Sequence, residues 1–352
     1  MPIRVGIIGT GFGASVHAPV LKEHPAYDLV AIASMRPGRA GPTAANLGIE
    51  KAYNDWREMM LEGELDLVVI ATKPGLHAEM VELALTTSHH VLCEKPPALS
   101  VSETETMAKI AHVSGKIAAM NFEWRYLPER LAVRSILDMG TIGEIFHVNW
   151  SEVWPLWPQL QDSEASWEWL AEEGGGMLGA IGSHIIDTLC HWFGPFTTIQ
   201  GQTINHVPKR RQGEDWVTTT AEDSFSFIGR FERGTTCSVS CTVAAVGRRP
   251  LLEIVGTKGT MKIEGHDLTL ATLESHALQP VQVQSPMDAS AFPKEIQGYI
   301  HAQWRLYDDL VLSIADQHRP NLPTLEDAVL VQAAMDSIRP TFLKLQQITE
   351  RE

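Results

Sequence analysis

The stretch Arg4–His17, RVGIIGTGFGASVH, limits the possible folds of this chain more than any other. Val5, Ile7 and Ile8 form a short β-branched run that reads as a buried strand, and a glycine-rich turn follows directly. The spacing is Gly9-x-Gly11-x-x-Ala14, after which Ala14, Val16, Val20 and Leu21 recur as in a helix. Strand, glycine turn and helix in that order make a dinucleotide-binding fingerprint. Gly9 permits the tight turn, Gly11 lets backbone approach a pyrophosphate, and Ala14 allows close helix–strand packing. The free N–H groups and the positive dipole end at the helix start favour phosphate. Thr10 and Phe12 lie in the same turn and join Gly9, Gly11 and Ala14 as candidate cofactor contacts.

The next strand reads as Leu29–Ala33 and ends at Ser34-Met35-Arg36. An acidic residue at this end grips the ribose in NAD-preferring domains, and none is present; Asp28 precedes the strand and so lies at the wrong end of the sheet. Ser34 and Arg36, with Arg39 beyond, suit a 2′-phosphate, which a guanidinium holds with two hydrogen bonds. The bland alternative makes both arginines surface charges. The pattern favours NADP(H) over NAD(H).

Helix-like and strand-like segments then alternate. Leu67–Ala71 and Val91–Glu94 read as buried strands, 76–85 as a helix, and Ser100-x-x-Glu103 as a capping box opening a helix to about Ser114; Ile117–Asn121 closes the series. The fold class this predicts is α/β: a doubly wound parallel-sheet Rossmann domain over residues 1–122, with ligands at the carboxyl ends of its strands. Thr72, Lys73, His77, Glu94, Lys95 and Asn121 fall at or just after those ends and are further candidate cofactor contacts. Residues 123–352 change character. A helix at 128–139, a strand at 145–153, a Trp-rich irregular stretch at 154–173, the triplet Gly174-Gly175-Gly176 and an apolar helix at 177–193 precede mostly strand-like sequence to residue 270. Helices at about 294–317 and 325–348 finish the chain. This predicts an α+β domain with a mostly antiparallel open sheet, assigned to substrate binding and self-association.

At 352 residues the chain exceeds what one core usually supports, in keeping with two domains. A formal charge of −15 argues against nucleic acid or an anionic membrane surface as partner. Four cysteines without a CxxC pair suggest free thiols in a reducing cytoplasm. No signal-peptide pattern precedes the first strand, and no apolar run approaches transmembrane length.

Two residues stand out for chemistry. Lys95 follows a strand in the order Cys93-Glu94-Lys95-Pro96-Pro97, and an ammonium aimed at the cleft stabilises a developing alkoxide while hydride leaves. His184 shares a helix face with Asp187 and His191, and imidazole suits proton exchange with a hydroxyl or carbonyl. The trio also admits a plain core reading, and as a metal site its spacing is weak, so no metal is expected. Asp187, Trp124, Arg125 and Trp154 are candidate substrate-binding residues. Trp150, Trp154, Trp157, Trp167 and Trp169 suit either a pocket for the C–H faces of a polyol or an interface.

With these residues in view, the chain resembles the glucose–fructose oxidoreductase / inositol dehydrogenase / rhizopine catabolism (Gfo/Idh/MocA) family nearly end to end. The resemblance rests on GIIGTGFGASVHAP at the start, Thr72 with His77, Glu94-Lys95-Pro96, and GGGMLGAIGSHIIDTL at 174–189. It implies that Lys95 and His184 act on a substrate hydroxyl while hydride passes to or from nicotinamide C4, and that Asp187 matches the family's helical aspartate. It also implies a sugar, cyclitol or related polyol as substrate, and dimers or tetramers formed through the open sheet. Two departures are visible: Ala180 stands where the family often has aspartate, and Thr72-Lys73-Pro74 replaces the usual T-P-N. A catalytically silent cofactor-binding sensor and a reductase of a non-sugar carbonyl remain alternatives.

Overall fold

The computed structural model describes residues 1–162, 164, 166–284 and 286–339. The described residues pack as two units, one of Met1–Leu127 with Pro286–Val329, the other of residues 128–284 with 330–339.

The first unit holds a six-stranded parallel sheet. Its strands are β1 (Ile3–Ile8), β2 (Tyr27–Ala33), β3 (Lys51–Tyr53), β4 (Leu67–Ile70), β5 (His90–Cys93) and β6 (Ala118–Met120), in the order β3-β2-β1-β4-β5-β6. Helices α1 (Ala18–Glu23), α2 (Ala40–Leu47), α3 (Trp56–Glu62), α4 (His77–Thr86) and α5 (Val101–Ser114) connect them. Every residue of β4 is buried, as a strand covered on both faces requires; this is why it reads as an apolar run without alternation. The order reverses between β1 and β4, the topological switch point where such sheets take ligands. Asp28 proves to be the second residue of β2, still at the end remote from the ligand edge. The cap of α5 works as read, with Ser100 Oγ accepting from Glu103 N at 3.3 Å. Glu103 reaches back one residue further than a capping box requires, to Leu99 N at 2.9 Å.

In the second unit α6 (Pro128–Asp138), β7 (Ile145–Val153) and α7 (Ser183–Phe193) precede the strands β8 (Phe196–Ile204), β9 (Lys209–Gln212), β10 (Asp215–Thr218), β11 (Ser224–Phe231), β12 (Thr236–Thr242), β13 (Leu251–Gly256), β14 (Gly259–Glu264), β15 (Asp267–Thr272) and β16 (Gln279–Pro280). Eight of them form one sheet, β16-β15-β14-β13-β7-β12-β11-β8, and β9 pairs with β10 alone. The hairpins β11–β12, β13–β14 and β14–β15 are antiparallel. Strand β7 lies between β12 and β13 and runs parallel to β12, so the sheet is mixed.

Helix α8 (Gln297–Ile314) departs from the expected division at residue 122. It belongs to the first unit, where Ile300, Leu306, Tyr307 and Leu310 join Val5, Leu21, Leu67 and Leu92 in one buried cluster. The apolar face of α8 is completed by residues more than two hundred positions earlier, a pairing that periodicity does not reveal. Helix α9 (Leu325–Ile338) ends the described chain, so the expected continuation at 340–348 lies outside the described residues.

Candidate active site

At the carboxyl edge of the parallel sheet the chain makes its turn at Gly9, whose φ of 126° is open to glycine and strained for other residues. A Cβ there would also stand 2.1 Å from the Ala71 carbonyl oxygen. At Gly11 a Cβ would meet no atom within 4 Å, so the turn is open on the side a pyrophosphate needs, and the glycine cradle fits a dinucleotide. The close helix–sheet approach falls at Gly13, not Ala14: a Cβ on Gly13 would lie 2.8 Å from Ile7 Cγ2 and 3.1 Å from Ala71 Cβ. The helix also opens differently from the expected regular turn, as a π-helical segment at Gly13–His17 before α1.

Thr10 Oγ1 and Ser34 Oγ meet at 3.3 Å, and Ser34 Oγ accepts from Arg36 N at 3.2 Å. Ser34 is buried and shapes the loop after β2, while Arg36 and Arg39 are exposed. Thr72 and Lys73 are half-buried in the loop after β4. His77 is fully buried: Nε2 faces the Thr72 carbonyl at 3.1 Å, and Nδ1 faces those of Pro96 and Pro97 at 3.1 and 3.2 Å. Burial pushes its pKa down against the pull of those carbonyls and of Glu94. The ring therefore ties the loop after β4 to the segment that follows Lys95.

Lys95 is half-buried, two residues beyond the end of β5. Its amide donates to Glu94 Oε2 at 3.1 Å. The Glu94 carboxylate is buried and turned into the protein, where Oε1 accepts from His17 Nε2 at 2.9 Å and from Asn121 Nδ2 at 2.6 Å. Burial alone would raise the pKa of Glu94. The His17 hydrogen bond and charge, the Lys95 charge and the Asn121 bond outweigh it and hold the carboxyl below its ordinary value. Asn121 and Gln303 exchange amide hydrogen bonds at 3.1 and 3.0 Å, and His17 Nδ1 meets the Tyr307 hydroxyl at 2.8 Å. His17, Gln303 and Tyr307 escaped the sequence reading. His17 lies within the quoted opening stretch, whereas Gln303 and Tyr307 show only helical spacing. Phe12 packs edge-on against both His17 and Tyr299, with ring centroids 5.5 Å apart in each pair. Trp124 is half-buried, and Arg125 is buried against Asp327 at 3.2 Å, so its guanidinium serves an internal ion pair.

In the second unit His184 and Asp187 are buried on successive turns of α7, and His191 lies half-buried near its end. The helix is preceded by a π-helical turn at Leu178–Gly182. Its start is held by Glu222, which the sequence reading also missed: Oε1 accepts from Leu178 N at 3.0 Å, and the carboxyl lies so close to Gly176 that a Cβ there would be 2.3 Å away. Burial raises the pKa of Glu222 above its ordinary value. The tryptophans divide by burial. Trp150 is buried with the Arg130 guanidinium 4.4 Å from its ring centroid, and Trp169 is buried with that of Arg210 at 3.5 Å. Trp154 and Trp157 are exposed, and the Trp150 and Trp154 indoles donate to the two oxygens of Glu152. Among the described residues no group of three His, Cys, Asp or Glu side chains is placed to hold a metal ion. No described helix is long and apolar enough to cross a membrane.

Residues 3–122 match a family model described as an oxidoreductase family with an NAD-binding Rossmann fold, and residues 131–262 match the GFO/IDH/MocA C-terminal domain. An uncharacterised oxidoreductase of Synechocystis sp. is 31% identical over 349 residues, covering 95% of this chain and 92% of that protein. Levoglucosan dehydrogenase of Pseudarthrobacter phenanthrenivorans is 28% identical over 286 residues, covering 74% of this chain and 73% of its own. A solved structure of levoglucosan dehydrogenase in complex with NADH and levoglucosan superposes with a TM-score of 0.85 at 24% identity, covering 96% of each chain. With both halves matched and a relative alike over almost its whole length, the chain belongs to the Gfo/Idh/MocA family of oxidoreductases.

Proposed function

We propose that this oxidoreductase transfers hydride between a nicotinamide cofactor, NADP(H) in preference to NAD(H), and a secondary hydroxyl or carbonyl of a sugar, cyclitol or related polyol. The observation that carries the reading is the setting of Lys95, whose backbone is fastened to a buried carboxylate at the sheet edge that also bears Gly9 and Thr72. When bound, the cofactor accepts or returns the hydride. In the oxidative direction the C–H bond of the carbinol gives up its hydride and the hydroxyl gives up its proton, leaving a carbonyl. His184 takes that proton, and the Lys95 ammonium stabilises the negative charge that develops on oxygen. Asp187 contacts substrate or orients His184, and exposed Trp154 offers an aromatic face to C–H groups. The exposed Arg36 and Arg39 support the preference for a 2′-phosphate.

Self-association proceeds through the outer face of the mixed sheet. There Asn149, Ser151, Gln200, Ser226 and Ile228 line a groove of about 590 Å³. Four free cysteines are in keeping with a cytoplasmic setting.

The test is a cofactor-linked absorbance assay over polyols, inositols, sugars and simple carbonyls, with NADP(H) and NAD(H), on wild type and Lys95→Ala. Turnover on a polyol or sugar is expected, reduced by about 10²-fold or more in the variant. Cofactor binding without turnover on any compound would favour a sensor, turnover confined to simple carbonyls a non-sugar reductase, and undiminished turnover by Lys95→Ala a different active site.

A further inference from the structure

We propose that Tyr307 and His17 are positioning residues of this oxidoreductase, holding the Glu94 carboxylate and through it the backbone at Lys95 in the working arrangement. The proposal rests on the assignment of Lys95 above.

The hydrogen-bond directions follow from chemistry. An ionised carboxylate only accepts, so His17 Nε2 carries a proton and donates to Glu94 Oε1. On the other side of the ring Nδ1 meets the Tyr307 hydroxyl at 2.8 Å, so the imidazole is held at both nitrogens. Tyr307 is itself placed by Tyr27, whose hydroxyl donates to the Tyr307 carbonyl at 2.8 Å. The line runs from β2 through α8 to the π-helical turn after the glycines, then to Glu94 and the Lys95 amide. His17 and Tyr307 are completely buried, so neither side chain reaches a bound molecule directly. Both act through Glu94.

The titratable groups around Glu94 are His17 of the π turn, His77 of α4, Cys93 and Lys95 beside it, and Tyr299 and Tyr307 of α8. Of these, His17 bonds the carboxylate directly, and Tyr307 fixes the ring from its other nitrogen. Deleting the tyrosine hydroxyl leaves Nδ1 without that partner. The ring is then held through Nε2 alone, its bond to Glu94 loosens, and the carboxylate bears more of the cost of burial. Protonated Glu94 releases the Lys95 amide, so loss of activity appears on the acid side.

Tyr307→Phe, which removes one oxygen and creates no large cavity, and His17→Phe are compared with wild type on the best substrate of the panel. The acid limb of kcat/KM is expected to move up by about half a pH unit in Tyr307→Phe and by about one in His17→Phe. On the acid side of the limb kcat should fall by up to about threefold in Tyr307→Phe and up to about tenfold in His17→Phe and recover by neutral pH, with KM for the cofactor within about twofold of wild type. A lowered Tm with an unmoved acid limb would make both residues structural only and overturn the proposal. A raised cofactor KM with an unmoved limb would also overturn it, by placing Glu94 on the cofactor. Lys95→Ala in the same assay separates the two readings: undiminished turnover there overturns the role of Lys95 and this proposal with it. Loss of turnover in Lys95→Ala with unmoved limbs in the other variants overturns this proposal alone.

Discussion

Ser34 and Arg36 share the loop after β2 but differ in what they are free to do. Ser34 is buried and bonded to Thr10 and to the Arg36 amide, so it sets the loop, while Arg36 projects into solvent where a phosphate can reach it. Arg36→Ala is therefore expected to weaken NADPH binding about tenfold and to leave NADH binding unchanged, read by fluorescence titration with both cofactors. Equal effects on the two would refute the 2′-phosphate assignment. At this scale the sequence reading named several residues that the structure brings to one sheet edge and missed others that pack with them. Gly9 and Gly11 were legible because their turn directly follows a buried strand and opens a helix, but the close-packed position is Gly13, since the π-helical opening changes which residue faces β1. Glu94 read as a cofactor contact from its place after β5, and the structure adds that its carboxylate holds His17, Asn121 and the Lys95 amide.

The start of α7 shows how an element depends on a residue far from it. The π-helical turn at Leu178–Gly182 has no capping side chain of its own; the acceptor for Leu178 N comes from Glu222, at the entry to β11. Burial raises the pKa of that carboxyl, so the folded state binds the proton more tightly than the unfolded chain does. Stability contributed by this site is thus greatest at low pH and falls as pH rises past the ordinary carboxyl range. Glu222→Gln keeps an oxygen for Leu178 N and removes the charge. It is expected to stabilise the protein by about 1 kcal/mol at pH 7 and by almost nothing near pH 4, measured by urea denaturation at both values. A destabilised Gln variant at pH 7 would mean that the ionised carboxylate is needed there. Helix α7 itself was plain in the sequence from its apolar run and terminal Gly194, but its anchor was not, because nothing near Glu222 records that a helix start packs above it.

At the scale of the whole molecule, the outer face of the mixed sheet is the surface we assign to self-association. Ile228 stands at 60% exposure in the middle of β11, an apolar side chain among serines and glutamines. Ile228→Asp is expected to shift the protein to monomers in light scattering after size exclusion, with its circular dichroism unchanged, because a charge buried at such an interface has no partner. An unchanged mass would move the interface elsewhere. The parallel sheet, its ligand edge and the position of Lys95 on that edge were all determined by sequence-local signals: β-branched runs, a glycine turn and alternating helices, each complete within about a dozen residues. What only the tertiary structure decided are the pairings across long stretches of chain. The return of α8 to the first unit, the place of β7 between β12 and β13, and the line from Tyr307 through His17 to Glu94 all belong here. A buried polar group must find a partner, but the partner may come from anywhere the packed chain brings close, and side-chain spacing along the sequence carries no record of that choice.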